Sequence, residues 1–178
     1  MPGDRITLSA DDKFNTVIRS EVTEFSIMGI TAADYPAIPT VEEGISLSLT
    51  QDVLKGMVRQ TIFSVAAPNN PRPIYTGTRF EVTPDQLRLV SMDGYRLAMR
   101  SEAINCDEVT DFVVPGRTLG EALKLMEGDD GDVQIGVGRR HIVMNVGNYA
   151  VISRLLEGDF LDFDKSIPRG ARFDITRE

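Results

Sequence analysis

A chain of 178 residues with 42% hydrophobic content can bury a core, and its net charge of −8 argues against nucleic-acid binding by general surface attraction. No apolar run approaches the roughly 20 residues of a membrane-spanning helix, and MPGDRITLSADD lacks the basic-then-apolar order of a signal peptide. The single cysteine, Cys106, cannot form an internal disulfide, which fits a reducing cytosol; with His141 the only histidine, it is a poor catalytic thiol.

In chain order, residues 1–39 are expected to hold two strands, Arg5–Leu8 and Phe14–Ile27, separated by Asp11-Asp12 and followed by a tail. A lone hairpin is marginal in water, so this piece is expected to complete a sheet whose other strands lie elsewhere. In Asp34–Pro39, DYPAIP, the two prolines disfavour helix and central strand and mark an extended linker. Ile45–Leu49 alternates as a strand does. Thr50 is placed to cap a helix, with Asp52 in its first turn and Val53, Leu54, Met57, Val58 and Ile62 on one face. Gly56 inside that helix costs about 1 kcal/mol relative to Ala and is expected to admit a neighbouring backbone. After the loop Asn69–Pro73, strands follow at Gly77–Val82, Leu87–Ser91 and Tyr95–Glu102. Asp93-Gly94 joins the last two, with Leu87, Leu89, Tyr95, Leu97 and Met99 as the alternating apolar positions.

The same order then recurs. Asp111–Val114 is a strand, and Thr118 with Glu121 reads as a capping box opening a helix whose apolar face is Leu119, Ala122, Leu123 and Met126. The acidic turn Gly128–Asp132 ends it, and strands follow at Val133–Val137, Ile142–Val146 and Tyr149–Leu155. The hairpin in His141–Arg154 sets Gly147-Asn148 opposite Asp93-Gly94, Tyr149 opposite Tyr95, Val151 opposite Leu97 and Arg154 opposite Arg100. Both halves therefore read strand, helix, strand, strand, strand, and the first carries an insertion near Asn69–Tyr75. Glu157–Pro168 is a second acidic, proline-ended linker like the one before Pro39, and Ala171–Ile175 would open a further copy.

Several stretches resemble the bacterial replicative sliding clamp, the β subunit of DNA polymerase III. They are Phe25–Pro39, Arg72–Val82 (RPIYTGTRFEV), Leu89–Met99 (LVSMDGYRLAM), Phe112–Met126 and Leu155–Pro168. The resemblance implies an α+β DNA-clamp fold: duplicated β-α-β-β-β units with two helices on one face of antiparallel sheets. It implies residues 1–39 as the end of a first clamp domain, 40–168 as a whole middle domain and 169–178 as the first strand of a third. The implied function is non-catalytic. Six domains from two subunits close around duplex DNA and tether the polymerase, the clamp loader and other partners through short peptides, in the cytoplasm, without cofactor or metal. Where the family usually has Pro this chain has Leu161, and Met92 stands where Thr is common.

Two surfaces follow from that resemblance. Lys55 and Arg59 share one helix face, as do Arg117 and Lys124 on the second helix; with Asn69 and Arg72 in the loop they are expected to meet DNA phosphates without reading bases. A peptide groove is implied at Tyr75, Met92, Gly94, Tyr95, Arg96, Leu97, Leu161, Lys165 and Ser166, with an apolar floor of Tyr75 and Leu97 beside basic Arg96 and Lys165. The alternatives are a repeat scaffold that binds peptides without encircling DNA, and a nucleic-acid-processing enzyme. The latter needs a carboxylate or histidine cluster that the chain does not assemble. Asp129-Asp130-Gly131-Asp132 lacks the ligand alternation of a calcium loop, Asp162 and Asp164 lack partner carboxylates for a metal pair, and Gly136-Val137-Gly138 lacks the third glycine of a dinucleotide fingerprint.

Overall fold

The structure, a computed structural model, describes residues 4–35, 37, 44–126, 131–165, 167 and 170. The chain divides into two compact units, Met1–Ile38 and Pro39–Glu178. None of the described helices is long and apolar enough to cross a membrane.

The first unit is an antiparallel sheet of β1 (Thr7–Ala10), β2 (Asn15–Arg19) and β3 (Glu24–Met28). Three strands stand where two were expected. Phe14–Ile27 does not run on as one strand because Ser20–Thr23 turns it back, with the Ser20 N–H donating to the Thr23 carbonyl at 2.8 Å. The first strand also starts later, at Thr7. The register Leu8↔Ile18 and Ile18↔Phe25 gathers apolar side chains on one face, where Ile6, Leu8, Phe25 and Ile27 are all more than half exposed. The expected linker begins instead with a 3-10 turn, Ala32–Asp34, capped by Thr31; Pro36, Ile38 and Pro39 lie outside the described residues.

The second unit runs β4 (Ile45–Thr50), α1 (Gln51–Arg59), β5 (Gly77–Val82), β6 (Gln86–Met92), β7 (Leu97–Ala103), β8 (Thr110–Pro115), α2 (Gly116–Leu125), β9 (Asp132–Val137), β10 (His141–Val146) and β11 (Tyr149–Arg154). The expected double β-α-β-β-β order is present, and the insertion occupies 60–76 with 3-10 turns at Ile62–Ser64 and Pro73–Thr76. Glu127, residues 128–130 of the acidic turn, Ser166, Pro168 and the expected strand Ala171–Ile175 lie outside the described residues.

The sheets do not follow the repeats. One has the order β11-β10-β9-β4 and the other β7-β6-β5-β8, so each repeat lends its first strand to the other's sheet. The inner faces of both sheets and the apolar stripes of both helices close one core. It contains Leu47, Leu54, Met57, Phe80, Leu89, Leu119, Ile135, Ile142 and Met144. Phe80 and Phe112, from different repeats, stack within it with ring centroids 5.2 Å apart. The buried hydroxyls of Thr78 and Ser91 satisfy each other at 2.9 Å.

The β6–β7 hairpin places its apolar residues on two faces. The loop spans Asp93–Arg96, and Tyr95 lies in it fully exposed, not in the strand. Counting from the pairs Val90↔Met99 and Met92↔Leu97, Leu87 and Leu89 point into the core while Met92, Leu97 and Met99 point outward. The β10–β11 hairpin has the expected two-residue turn, with Gly147 at φ 54°.

Thr50 caps α1, its Oγ1 accepting from the Val53 N–H at 3.4 Å. The helix ends at Arg59, short of Ile62, where buried Thr61 donates its hydroxyl to the Met57 carbonyl at 2.9 Å and so occupies an acceptor at the helix end. The expected capping box is absent. Helix α2 begins at Gly116 with Pro115 in the cap position, so Thr118 already lies inside the helix and its hydroxyl meets that of Ser153 on β11 at 2.8 Å; Glu121 pairs with Lys124. Gly56 admits no neighbouring backbone either, since a Cβ there would meet nothing within 4 Å. Gly56→Ala is therefore expected to stabilise the chain by about 0.5–1 kcal/mol, read as a higher urea midpoint at unchanged slope.

Candidate functional site

The two helices touch, and each turns its apolar stripe to the core, which leaves the opposite side of each to solvent. Arg59 in the last turn of α1 is exposed, as are Arg117 in the first turn of α2 and Lys124 in its last. Among the described residues Arg59 and Arg117 have no acidic partner within salt-bridge distance, and Lys124 is shared with Glu121 at 2.9 Å. Lys55 differs from these. It is half-buried, and its Nζ donates to the Met126 carbonyl at the end of α2 at 3.2 Å, so it supplies a helix end with the cation its dipole favours. Asn69 is exposed in the loop. Arg72, also exposed, has its backbone N–H on Asn70 Oδ1 at 2.9 Å and its Nη1 3.5 Å from Tyr75 Oη, beside the other predicted surface.

That second surface lies on the outer face of the β7-β6-β5-β8 sheet. Tyr75, Met92 and Leu97 come together there with Ala66, Ile74, Val113, Leu156 and Phe160 in a small apolar cluster separate from the main core. Two backbone links hold it in place: the Ala66 N–H donates to the Tyr75 carbonyl at 2.8 Å, and the Leu156 N–H to the Val113 carbonyl at 2.9 Å. Gly77 makes room for this, because a Cβ there would sit 2.7 Å from Leu156 Cδ1 and 2.5 Å from the Val114 carbonyl oxygen. Of the cluster, sequence reasoning singles out only Tyr75, Met92 and Leu97. It misses Phe160, whose one signal is an aromatic ring in an acidic segment. Ring centroids of Phe160 and Tyr75 lie 5.5 Å apart, edge to face.

The two cations that the resemblance assigns to the groove are already paired within the chain. Arg96 Nε meets Asp93 Oδ2 at 2.9 Å, and Lys165 Nζ meets Asp162 Oδ2 at 2.7 Å. Asp93 Oδ1 also accepts from the N–H groups of Tyr95 at 3.0 Å and Arg96 at 3.1 Å, organising the loop that carries Gly94 at φ 96°. The Tyr95 N–H first, then Arg96, hold the Asp93 carboxyl below the ordinary aspartate value, and Asp162 raises the Lys165 ammonium. A peptide carboxylate arriving here meets cations whose charge is already partly neutralised by an aspartate. Leu161 is 42% exposed beside Phe160. Asp162 and Asp164 are engaged with Lys165 and Arg88, and no group of three or more metal-binding side chains exists among the described residues.

Because the folded-state value of Asp93 is depressed, its loop hydrogen bonds stabilise above the ordinary aspartate range, and that stabilisation disappears as pH falls through the lower folded value. An NMR titration is expected to show the Asp93 carboxyl and the Tyr95 and Arg96 amides moving together, with a midpoint below 3.8.

Residues 48–162 match the family model described as DNA polymerase III beta subunit, central domain. The Beta sliding clamp of Bacillus subtilis strain 168 is 30% identical over 177 residues, 98% of this chain and 47% of the relative; that of Staphylococcus aureus strain Mu50 is 32% identical over 177 residues, 99% and 47%. The crystal structure of the DNA polymerase sliding clamp from Bacillus subtilis superposes with a TM-score of 0.82 at 31% identity, over 92% of this chain and 43% of that one. The chain spans about half the length of the relatives it matches.

Proposed function

The chain belongs to the DNA polymerase III β subunit family, and we propose that it is the middle portion of a sliding clamp, a non-catalytic cytoplasmic ring that holds duplex DNA by enclosure and tethers the replicative polymerase. The single observation that carries this reading is the match of residues 48–162 to the central domain, on a fold whose two helices set Arg59, Arg117 and Lys124 on solvent-facing turns. In this reading residues 1–39 close a first domain, 40–168 form the middle one and 169–178 open a third, and two copies of the full-length protein make the ring. Cations on helices, without groove-reading side chains, suit sequence-independent contact with phosphates. An acidic protein of this kind holds DNA by topology more than by charge, and the enclosed partner raises the effective concentration of whatever is tethered to it. The cluster of Tyr75, Met92 and Leu97, rimmed by Arg96 and Lys165, suits the aliphatic anchors and acidic edge of a short tethering peptide.

The deciding experiment loads the full-length protein onto circular and linear duplexes of equal length. A ring stays on circles and slides off linear ends; equal loss from both sinks the enclosure reading in favour of a peptide scaffold. In the full-length protein, replacing Arg59, Arg117 and Lys124 by glutamate is expected to weaken duplex binding uniformly across sequences. The salt slope is expected to fall by about 0.9 for each phosphate that is no longer neutralised. Lys55→Met is expected to act on thermal stability, since it frees the end of α2. Tyr75→Ala is expected to weaken binding of a peptide with aliphatic anchors at least tenfold in a fluorescence titration, with the fold retained by circular dichroism.

A further inference from the structure

Beyond Leu156 the chain is laid across the outer face of the β7-β6-β5-β8 sheet. Leu156 bridges to Val113 on β8. Gly158 then turns the chain at φ 136°, a conformation that side-chain-bearing residues rarely adopt, against the side chain of Ile74. Phe160 meets Tyr75, with the Arg79 guanidinium 5.7 Å from its ring centroid. Phe163 is only 2% exposed, although it belongs to neither apolar cluster; the Arg88 guanidinium covers its ring at 5.0 Å from the centroid. Arg88 is in turn fixed by Glu81 at 2.5 Å and lies 3.8 Å from Asp164. Between the two anchored rings sit Leu161 and Asp162, and Lys165 follows.

We infer that Phe163, seated under Arg88, is a positioning residue for the peptide groove: it holds the strap 157–165 down so that Leu161 and Lys165 stand at the edge of the Tyr75–Leu97 cluster. The inference rests on the groove reading proposed above. Its physical content is a linkage. The docked strap forms one edge of the groove, so a peptide that contacts it must stabilise docking by the factor by which docking strengthens the peptide. A chain whose strap is docked only a fraction of the time binds with its dissociation constant raised by the inverse of that fraction.

The test uses the 178-residue chain and a fluorescein-labelled synthetic hexapeptide of alternating Leu and Asp, followed by titration and by amide hydrogen exchange of residues 157–165. Phe163→Ala is expected to weaken the peptide about tenfold, and Phe163→Tyr, which keeps a ring under Arg88, to restore it. In the unaltered chain, saturating peptide is expected to slow strap exchange by a similar factor while exchange in α1 and α2 stays unchanged. A purely structural role would lower protection throughout and would not make strap exchange depend on the peptide. If Tyr75→Ala weakens binding while Phe163→Ala does not, the positioning role is overturned and the groove stands. If neither variant changes affinity, or the unaltered chain does not bind the hexapeptide, both fall. If Phe163→Ala loses the fold, Arg88→Met carries the same test, because it removes the cation over the ring without emptying the site, and unchanged affinity in that variant overturns the role.

Discussion

The constraint on which the rest of the second unit depends is that four apolar surfaces must close on one another at once. Each sheet has one apolar inner face and each helix one apolar stripe, and all four meet in a single core. The chain meets the constraint by strand exchange: β4 leaves the first repeat to edge the sheet of the second, and β8 does the reverse. Neither repeat is then complete without the other. The Phe80–Phe112 stack joins β5 of one repeat to β8 of the other, and removing such a ring from a sealed core costs about 3–5 kcal/mol. The helices are fastened to the same arrangement, α2 by the Thr118–Ser153 hydroxyl pair and α1 by Lys55 on the Met126 carbonyl that ends α2.

The candidate functional surfaces occupy what the core leaves over. Once the inner face of the β7-β6-β5-β8 sheet is taken up by packing, Met92 and Leu97 can only point away from it, toward a face covered by a loop, a strand end and the strap. This layer is thin: Tyr75, Met92 and Val113 are buried in it, while Leu97, Leu156 and Phe160 stay partly open. Arg96 and Lys165 are each paired with an aspartate three residues earlier in the chain. Elsewhere in the unit, helix amphipathicity alone sends Arg59, Arg117 and Lys124 outward.

Where the sequence misleads, the reason is local in each case. Thr118 and Glu121 have capping-box spacing, yet the helix starts earlier, at Gly116 directly after β8, which leaves Thr118 inside it with Ser153 as a tertiary partner. The apolar run Phe14–Ile27 conceals a turn at Ser20–Thr23 because Val22, exposed at its centre, reads as a strand residue. Tyr95 continues the alternation of Leu97 and Met99 but belongs to a loop shaped by the Asp93 carboxylate.

By itself the sequence determined the order of the strands and helices in the second unit, the duplication, the helix-cap threonine at position 50, the glycine-bearing hairpin turns and the motifs that point to the clamp family, because hydrophobic period, capping and turn chemistry are properties of neighbours in the chain. Only the tertiary structure decided which strands share a sheet, which face of the β6–β7 hairpin is sealed and which open, that Lys55 closes a helix end, and that Phe160 and Phe163 pin the strap across the sheet. These depend on partners brought together from distant positions, which no pattern within one segment encodes.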